Sequence, residues 1–152
     1  MEVLFTRNSS LMSRLIRSVT REEVSHCGIL VGDYVIHSNL LGVQCELLSD
    51  FEDKSEIVYR VSLEEPKDLT DRLVRVFQLR GRFYDFGALL FVGISLLLRS
   101  KLGIPLPKSN LWANTGMYLC TELVTDIVYA REDAMLTPSG LYSKLVNRKK
   151  EK

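Results

Sequence analysis

The stretch Ser25-His26-Cys27-Gly28-Ile29-Leu30-Val31-Gly32-Asp33-Tyr34-Val35-Ile36-His37-Ser38 decides how this chain is read. Two β-rich runs flank Gly32-Asp33, a dipeptide suited to a tight hairpin turn. A two-residue turn pairs Val31 with Tyr34, Leu30 with Val35 and Gly28 with His37, and sets His26 opposite Asn39. Side chains alternate faces with period 2, so His26, Gly28 and Leu30 share a face with Val35, His37 and Asn39. The chain has two histidines, and this register makes them diagonal cross-strand neighbours, roughly 7 Å apart by backbone and within side-chain reach. A three-residue loop would break the parity and leave two half-exposed strand histidines without a common role.

Outward from the hairpin, Glu2 to Thr6 reads as a short apolar strand, and Ser9 to Val19 as a helix capped by Ser9 or Ser10. Further strands are expected over Val43 to Leu48 and Ile57 to Val61. Pro66 with Asp68 or Thr70 opens a helix through Leu79, with Leu69, Leu73, Val76 and Phe77 on one face and Gly81 ending it. Phe86 to Arg99 reads as helical, and Gly103, Pro105, Pro107, Asn110 and Gly116 break the segment after it. Cys120 to about Ala130 predicts a helix with Leu123, Val124, Ile127 and Val128 as its stripe. Thr137-Pro138-Ser139 starts a last one to Val146. Strands cluster early and helices follow, which indicates an α+β fold, an antiparallel sheet packed by helices.

A length of 152 residues suits one domain, expected over residues 1–147, with 148–152 as a charged tail. With 46% hydrophobic and 26% charged residues the chain is an ordinary globular protein rather than a disordered one. A formal net charge of +1 leaves no electrostatic footprint for nucleic acid. The N-terminus has no basic start, apolar core and small-residue cleavage site of a secretory signal, so a cytoplasmic location is expected. The most apolar stretch, Phe86 to Leu98, falls short of the ~20 residues of a membrane span. It reads as a buried helix or as one facing lipid or a partner.

Three widely spaced cysteines, Cys27, Cys45 and Cys120, make neither a disulfide framework nor a zinc site. Cys120 begins a helix, where orphan N–H groups and the dipole stabilise a thiolate. A lone buried cysteine is otherwise a small core hydrophobe, and that is the expected role of Cys27 and Cys45. Cys27 alternates to the face opposite His26. With the histidine pair, Cys120 completes a Cys–His–His constellation, one ring a base and the other orienting it.

At these residues the chain resembles a family. SHCGILVGDYVIHS followed by Gly42-Val43 resembles the catalytic hairpin of NlpC-like papain-fold peptidases, LRGRFYDFGALL their Tyr-containing turn, and LCTELV their nucleophile helix. Here the histidines precede the cysteine, which is similar to the circularly permuted YiiX-like and YebB-like members, relatives of lecithin:retinol acyltransferase. The likeness runs from about Val3 to Leu145. It implies a permuted papain-like fold with Cys120 as nucleophile, His26 as base and His37 as orienting residue. Tyr84 would line the pocket beside an oxyanion site at the Cys120 backbone N–H. Several YiiX-like members carry Glu where this chain has His37, which leaves the substrate class open. Glu122 and Asp85 read as local structure, a first-turn carboxylate and a turn cap.

The resulting expectation is a cysteine hydrolase that cleaves an amide, in a cell-wall-type or other small peptide, through an acyl-enzyme and without metal or organic cofactor. A cytoplasmic peptide, delivery by a lysis system, or carriage in a phage particle would each fit the absent signal. The alternatives are a lipid acyl hydrolase or acyltransferase, with Phe86-Leu98 and Ile104-Pro105-Leu106-Pro107 holding an acyl chain, and a binding protein that keeps the fold without turnover.

Overall fold

The computed structural model describes residues 1–39, 41–78, 119–130 and 136–150. Ten elements follow in chain order: β1 (Glu2–Arg7), α1 (Leu11–Thr20), β2 (His26–Val31), β3 (Tyr34–Asn39), β4 (Gly42–Leu47), α2 (Leu48–Glu52), β5 (Glu56–Ser62), α3 (Leu69–Gln78), α4 (Cys120–Tyr129) and α5 (Pro138–Lys150). The strands form one sheet in the order β4-β3-β2-β1-β5, every neighbouring pair antiparallel. This is an α+β architecture with helices packed on an antiparallel sheet.

The hairpin has the two-residue turn. Gly28 pairs with His37, Ile29 with Ile36, Leu30 with Val35 and Val31 with Tyr34, and the ladder stops there, short of a His26–Asn39 pair. Gly32 sits at φ 57°, and Asp33 is not among the positive-φ residues. One left-handed residue at the first central position is the II′ pattern, which matches strand twist and favours glycine. β1 and β2 lie inside the sheet and are buried on both faces, so Val3, Leu4 and Phe5 are all fully buried.

The two faces of the sheet are unequal. Val3, Phe5, Cys27, Ile29, Ile36, Val43 and Val61 pack under Leu69 and Val76 of α3, Leu123, Val124 and Ile127 of α4, and Leu141 and Leu145 of α5. On the other face Leu4, Leu30 and Val35 lie under Phe51, with Leu48 and Ile57 at the margin. The strand expected through Leu48 ends at Leu47, because the chain turns there into the one-turn helix α2 that carries Phe51 inward.

Caps explain the helix ends. The Ser10 side chain accepts the Ser13 N–H at the start of α1, and Thr137 Oγ1 accepts the Gly140 N–H at the start of α5. At α4, Glu122 reaches back to accept the Leu119 N–H at 2.8 Å. That is the reciprocal half of a capping box, the half available when leucine holds the cap. Arg72 of α3 donates to the Ile127 carbonyl at 2.9 Å and Arg75 pairs with Asp126 at 3.6 Å, tying α3 to α4. The last helix runs on through Lys150, so most of the charged segment expected as a tail is helical. Arg148 there lies 4.9 Å from the Tyr129 ring centre, a cation–π contact that extends the helix past its apolar stripe. Among the described residues no helix is long and apolar enough to cross a membrane.

Candidate functional site

His26 opens β2 and His37 stands on β3, two residues along the shared face. Their rings meet directly. His26 Nε2 and His37 Nδ1 are 3.0 Å apart, with ring centres at 5.2 Å and planes at 83°. Gly28 makes this approach possible, since a β-carbon there would lie 3.0 Å from His37 Cβ and 3.1 Å from Val35 Cγ1. A side chain at residue 28 would occupy the strand position between the two imidazoles. Phe51 of α2 closes the arrangement from above, 5.1 Å from the His37 ring in an edge-on contact.

His37 has a second partner that the sequence reading did not contain. Its Nε2 lies 3.0 Å from Glu46 Oε1, and the other Glu46 oxygen receives the Lys54 ammonium. Glu46 was legible in principle. β3 pairs with β4 through Asn39↔Gly42, His37↔Gln44 and Val35↔Glu46, so Glu46 is diagonal to His37 by the same period-2 logic that joins the histidines. The sequence signal for it is Asn39-Leu40-Leu41-Gly42, whose glycine suits a second tight connection between strands.

Burial dominates the electrostatics of His37. The side chain is 5% exposed, and burial followed by the nearby His26 pulls its pKa down to about 4 against a partly opposing pull from Glu46. His37 is therefore neutral at pH 7. Burial pushes the Glu46 carboxyl up, yet hydrogen bonding from Lys54 and the attraction of His37 and Lys54 hold it below its ordinary value. It is a carboxylate at neutral pH and accepts hydrogen bonds only.

Cys120 is the first residue of α4, after the Leu119 cap. It is buried at 5% exposure. A hydrogen bond from the Cys27 thiol, the charge of His26 and a hydrogen bond from the His26 ring outweigh burial and carry its pKa well below the thiol range. The helix N-terminus favours the same thiolate. Cys27, by contrast, is pushed well up by burial and by the neighbouring Cys120, so it remains a thiol and a donor. Cys27 is a buried core residue whose thiol also meets Cys120. It does alternate away from His26, but the face it turns to is the one α4 covers, which brings its thiol to Cys120. Cys45 is half-buried on β4.

A cavity of about 540 Å³ borders the histidines. Asn8, Ser10, Met12, Ser13 and Ile16 form one wall, and Asn39, Leu41, Gln44 and Glu46 the other. Ser13 and Ser25 share a 2.6 Å hydrogen bond that fixes α1 beside the residue preceding His26. Among the described residues no cluster of three or more His, Cys, Asp or Glu side chains forms a metal site. Tyr84, Asp85, Phe86 to Leu98 and the Ile104-Pro105-Leu106-Pro107 segment lie outside the described residues.

Fold and site together define an α+β protein in which a helix-initiating cysteine meets a part-buried His–His–Glu chain. No known family model matches this sequence, and no characterised protein matches it either.

Proposed function

We propose that this chain is a thiol hydrolase of the permuted papain-like kind, with Cys120 as nucleophile, His26 as proton carrier and His37 as the residue that orients His26. The observation that supports it most is the position of His26, bonded to His37 at 3.0 Å while it stabilises the Cys120 thiolate. A nucleophilic sulfur, an imidazole beside it and a polar group behind that imidazole are the parts acyl transfer needs.

In the reaction, Cys120 Sγ adds to a carbonyl carbon and the carbonyl electron pair moves to oxygen. The backbone N–H of Cys120, one of the unpaired donors at the start of α4, would receive that oxyanion. Collapse breaks the carbon–nitrogen bond as the His26 imidazolium gives its proton to the leaving amine, leaving a thioester. Water then attacks the thioester carbon as His26 takes its proton, the carbon–sulfur bond breaks, and the acid leaves with Cys120 a thiolate beside protonated His26. An amide in a small peptide suits a cavity whose walls offer the amides of Asn8, Asn39 and Gln44. Three free cysteines, two of them in contact, suit work in a reducing compartment such as the cytoplasm.

A second reading, an acyl ester or thioester substrate on the same residues, is favoured by the apolar residues of the cavity lining, Met12, Ile16 and Leu41, of which Leu41 is 72% exposed. Incubation with a panel of peptide amides and long-chain thioesters, followed by intact-protein mass measurement, distinguishes the two by which acyl group is found on Cys120. No adduct from either class, together with no alkylation of Cys120 by iodoacetamide at pH 7, would leave a binding protein instead.

A further inference from the structure

The hydrogen-bonded chain does not stop at His37, and its outer end dictates where every proton in it sits. We infer that Glu46 is a positioning residue that sets the tautomers of both histidines and so leaves His26 Nδ1 free to act as the base toward Cys120. This inference rests on the hydrolase reading for its catalytic consequence, though its structural content stands apart from it.

The argument is one of donors and acceptors. Glu46 is an acceptor, so the 3.0 Å contact with His37 Nε2 requires the proton on that nitrogen. A neutral His37 carrying its proton on Nε2 has a bare Nδ1. The 3.0 Å contact between His37 Nδ1 and His26 Nε2 must then be a bond donated by His26. With Nε2 protonated and occupied, His26 has Nδ1 as its remaining nitrogen for Cys120. The same order serves both charge states of His26. As neutral ring it donates from Nε2 and accepts at Nδ1, and as imidazolium it donates from both.

The opposite order fails. A proton on His37 Nδ1 would point at His26 Nε2 and force the His26 proton onto Nδ1, where the ring cannot take another from the thiol. It would also set a bare Nε2 against a carboxylate oxygen. A doubly protonated His37 has the first of these faults. Burial and His26 disfavour that state, while Glu46 alone would promote it. Lys54 tempers this, because it holds the second carboxylate oxygen and its charge opposes protonation of His37. The groups facing His37 are therefore His26, Glu46 and Lys54, and Glu46 acts by direction rather than by charge.

The test uses the full chain, labelled with ¹⁵N, in three forms: wild type, Glu46→Gln and Glu46→Ala. Glu46 is 19% exposed at the sheet's outer strand, and Glu46→Gln, nearly isosteric, covers the case in which alanine impairs folding. Long-range ¹⁵N–¹H spectra at pH 7 assign the protonated nitrogen of each ring, and iodoacetamide measures the reactivity of Cys120. The expected wild-type result is a proton on Nε2 of both rings if His26 is neutral, or on Nε2 of His37 alone with His26 doubly protonated. Glu46→Gln keeps that order, since its amide oxygen still accepts, and keeps the alkylation rate within about threefold. Glu46→Ala mixes the His37 tautomers and slows alkylation at least about tenfold, less than the roughly 10²- to 10⁴-fold worth of the base itself. A wild-type His37 protonated on Nδ1, or a Glu46→Ala spectrum and rate unchanged from wild type, overturns the inference. An inert Cys120 in a protein whose tautomers follow the expected order would instead defeat the hydrolase reading and leave the role of Glu46 in the tautomers intact.

Discussion

The two faces of the sheet do different work. Among the described residues, one face and the helices α3, α4 and α5 share a single buried cluster of sixteen residues, whereas the other face has a cluster of four, Leu4, Leu30, Val35 and Phe51. The broad face is a packed interior in which the Cys27 and Cys120 thiols meet. On the narrow face stand His26, His37 and Glu46, where Phe51 of a one-turn helix roofs the ring pair. His26 belongs to both, since it shares a ring contact with His37 and reaches Cys120 at the head of α4. The broad face supplies rigidity and the helix N-terminus, and the narrow face carries the cavity that His26 and His37 line.

This contrast breaks most sharply at the nucleophile. Cys120→Ser should remove iodoacetamide labelling at that position and any hydrolysis, and His26→Ala should lower either rate roughly 10²- to 10⁴-fold, the usual worth of a general base. Thermal unfolding should change little for the serine variant. If His26→Ala labels as fast as wild type, the narrow face has no part in the chemistry.

Truncations on each face sharpen it. Leu123→Ala removes a fully buried side chain from the broad cluster and should cost about 2–5 kcal/mol, measured by denaturant unfolding, with the His26–His37 contact preserved. Phe51→Ala should cost about 3–5 kcal/mol and, unlike Leu123→Ala, shift the ring resonances of both histidines. Equal spectra for the two variants would mean that the roof does not hold the rings.

The pH dependence follows from His37. Its folded pKa of about 4 lies below its ordinary 6.5, so the unfolded chain binds more protons between those values. Stability is then complete above about pH 6.5 and is lost as pH falls toward 4, by on the order of 3 kcal/mol. Glu46, held below its ordinary value, acts in the same direction as the acid range is entered. His37→Gln should flatten this slope, and urea titrations at a series of pH values would reveal a slope that stays.

The smallest effect concerns the strand position between the rings. Gly28→Ala should cost about 1–3 kcal/mol through overpacking, because its new β-carbon meets His37 Cβ at 3.0 Å. Its signature is displacement of His37 with the broad face untouched. A variant as stable as wild type with unmoved histidine resonances would show that the strands can separate to admit the methyl group.

Local signals were enough for the hairpin. Gly32-Asp33 admits a two-residue turn, period 2 then assigns faces, and the pairing of Gly28 with His37 follows without any tertiary contact. The helix beginning at Cys120 was legible in the same way, from its apolar spacing and the break before it. Glu46 was not seen because its relation to His37 passes through a second turn and a third strand. Cys27 is the buried core cysteine its strand position suggests, and its thiol also meets Cys120. Parity correctly put it opposite His26, but only the docking of α4 shows what waits on that side.

The sequence by itself thus determined local conformation and which residues share a face, because these depend on turn geometry and a fixed strand period. It also put a cysteine at a helix start. Tertiary structure alone decided that the helix carrying Cys120 lies across β2 and β3, that α2 folds Phe51 over the rings, and that burial drives His37 to the neutral state. Those outcomes depend on contacts between residues up to 94 positions apart in the sequence, such as His26 and Cys120, and on the loss of water around them. No local pattern encodes either.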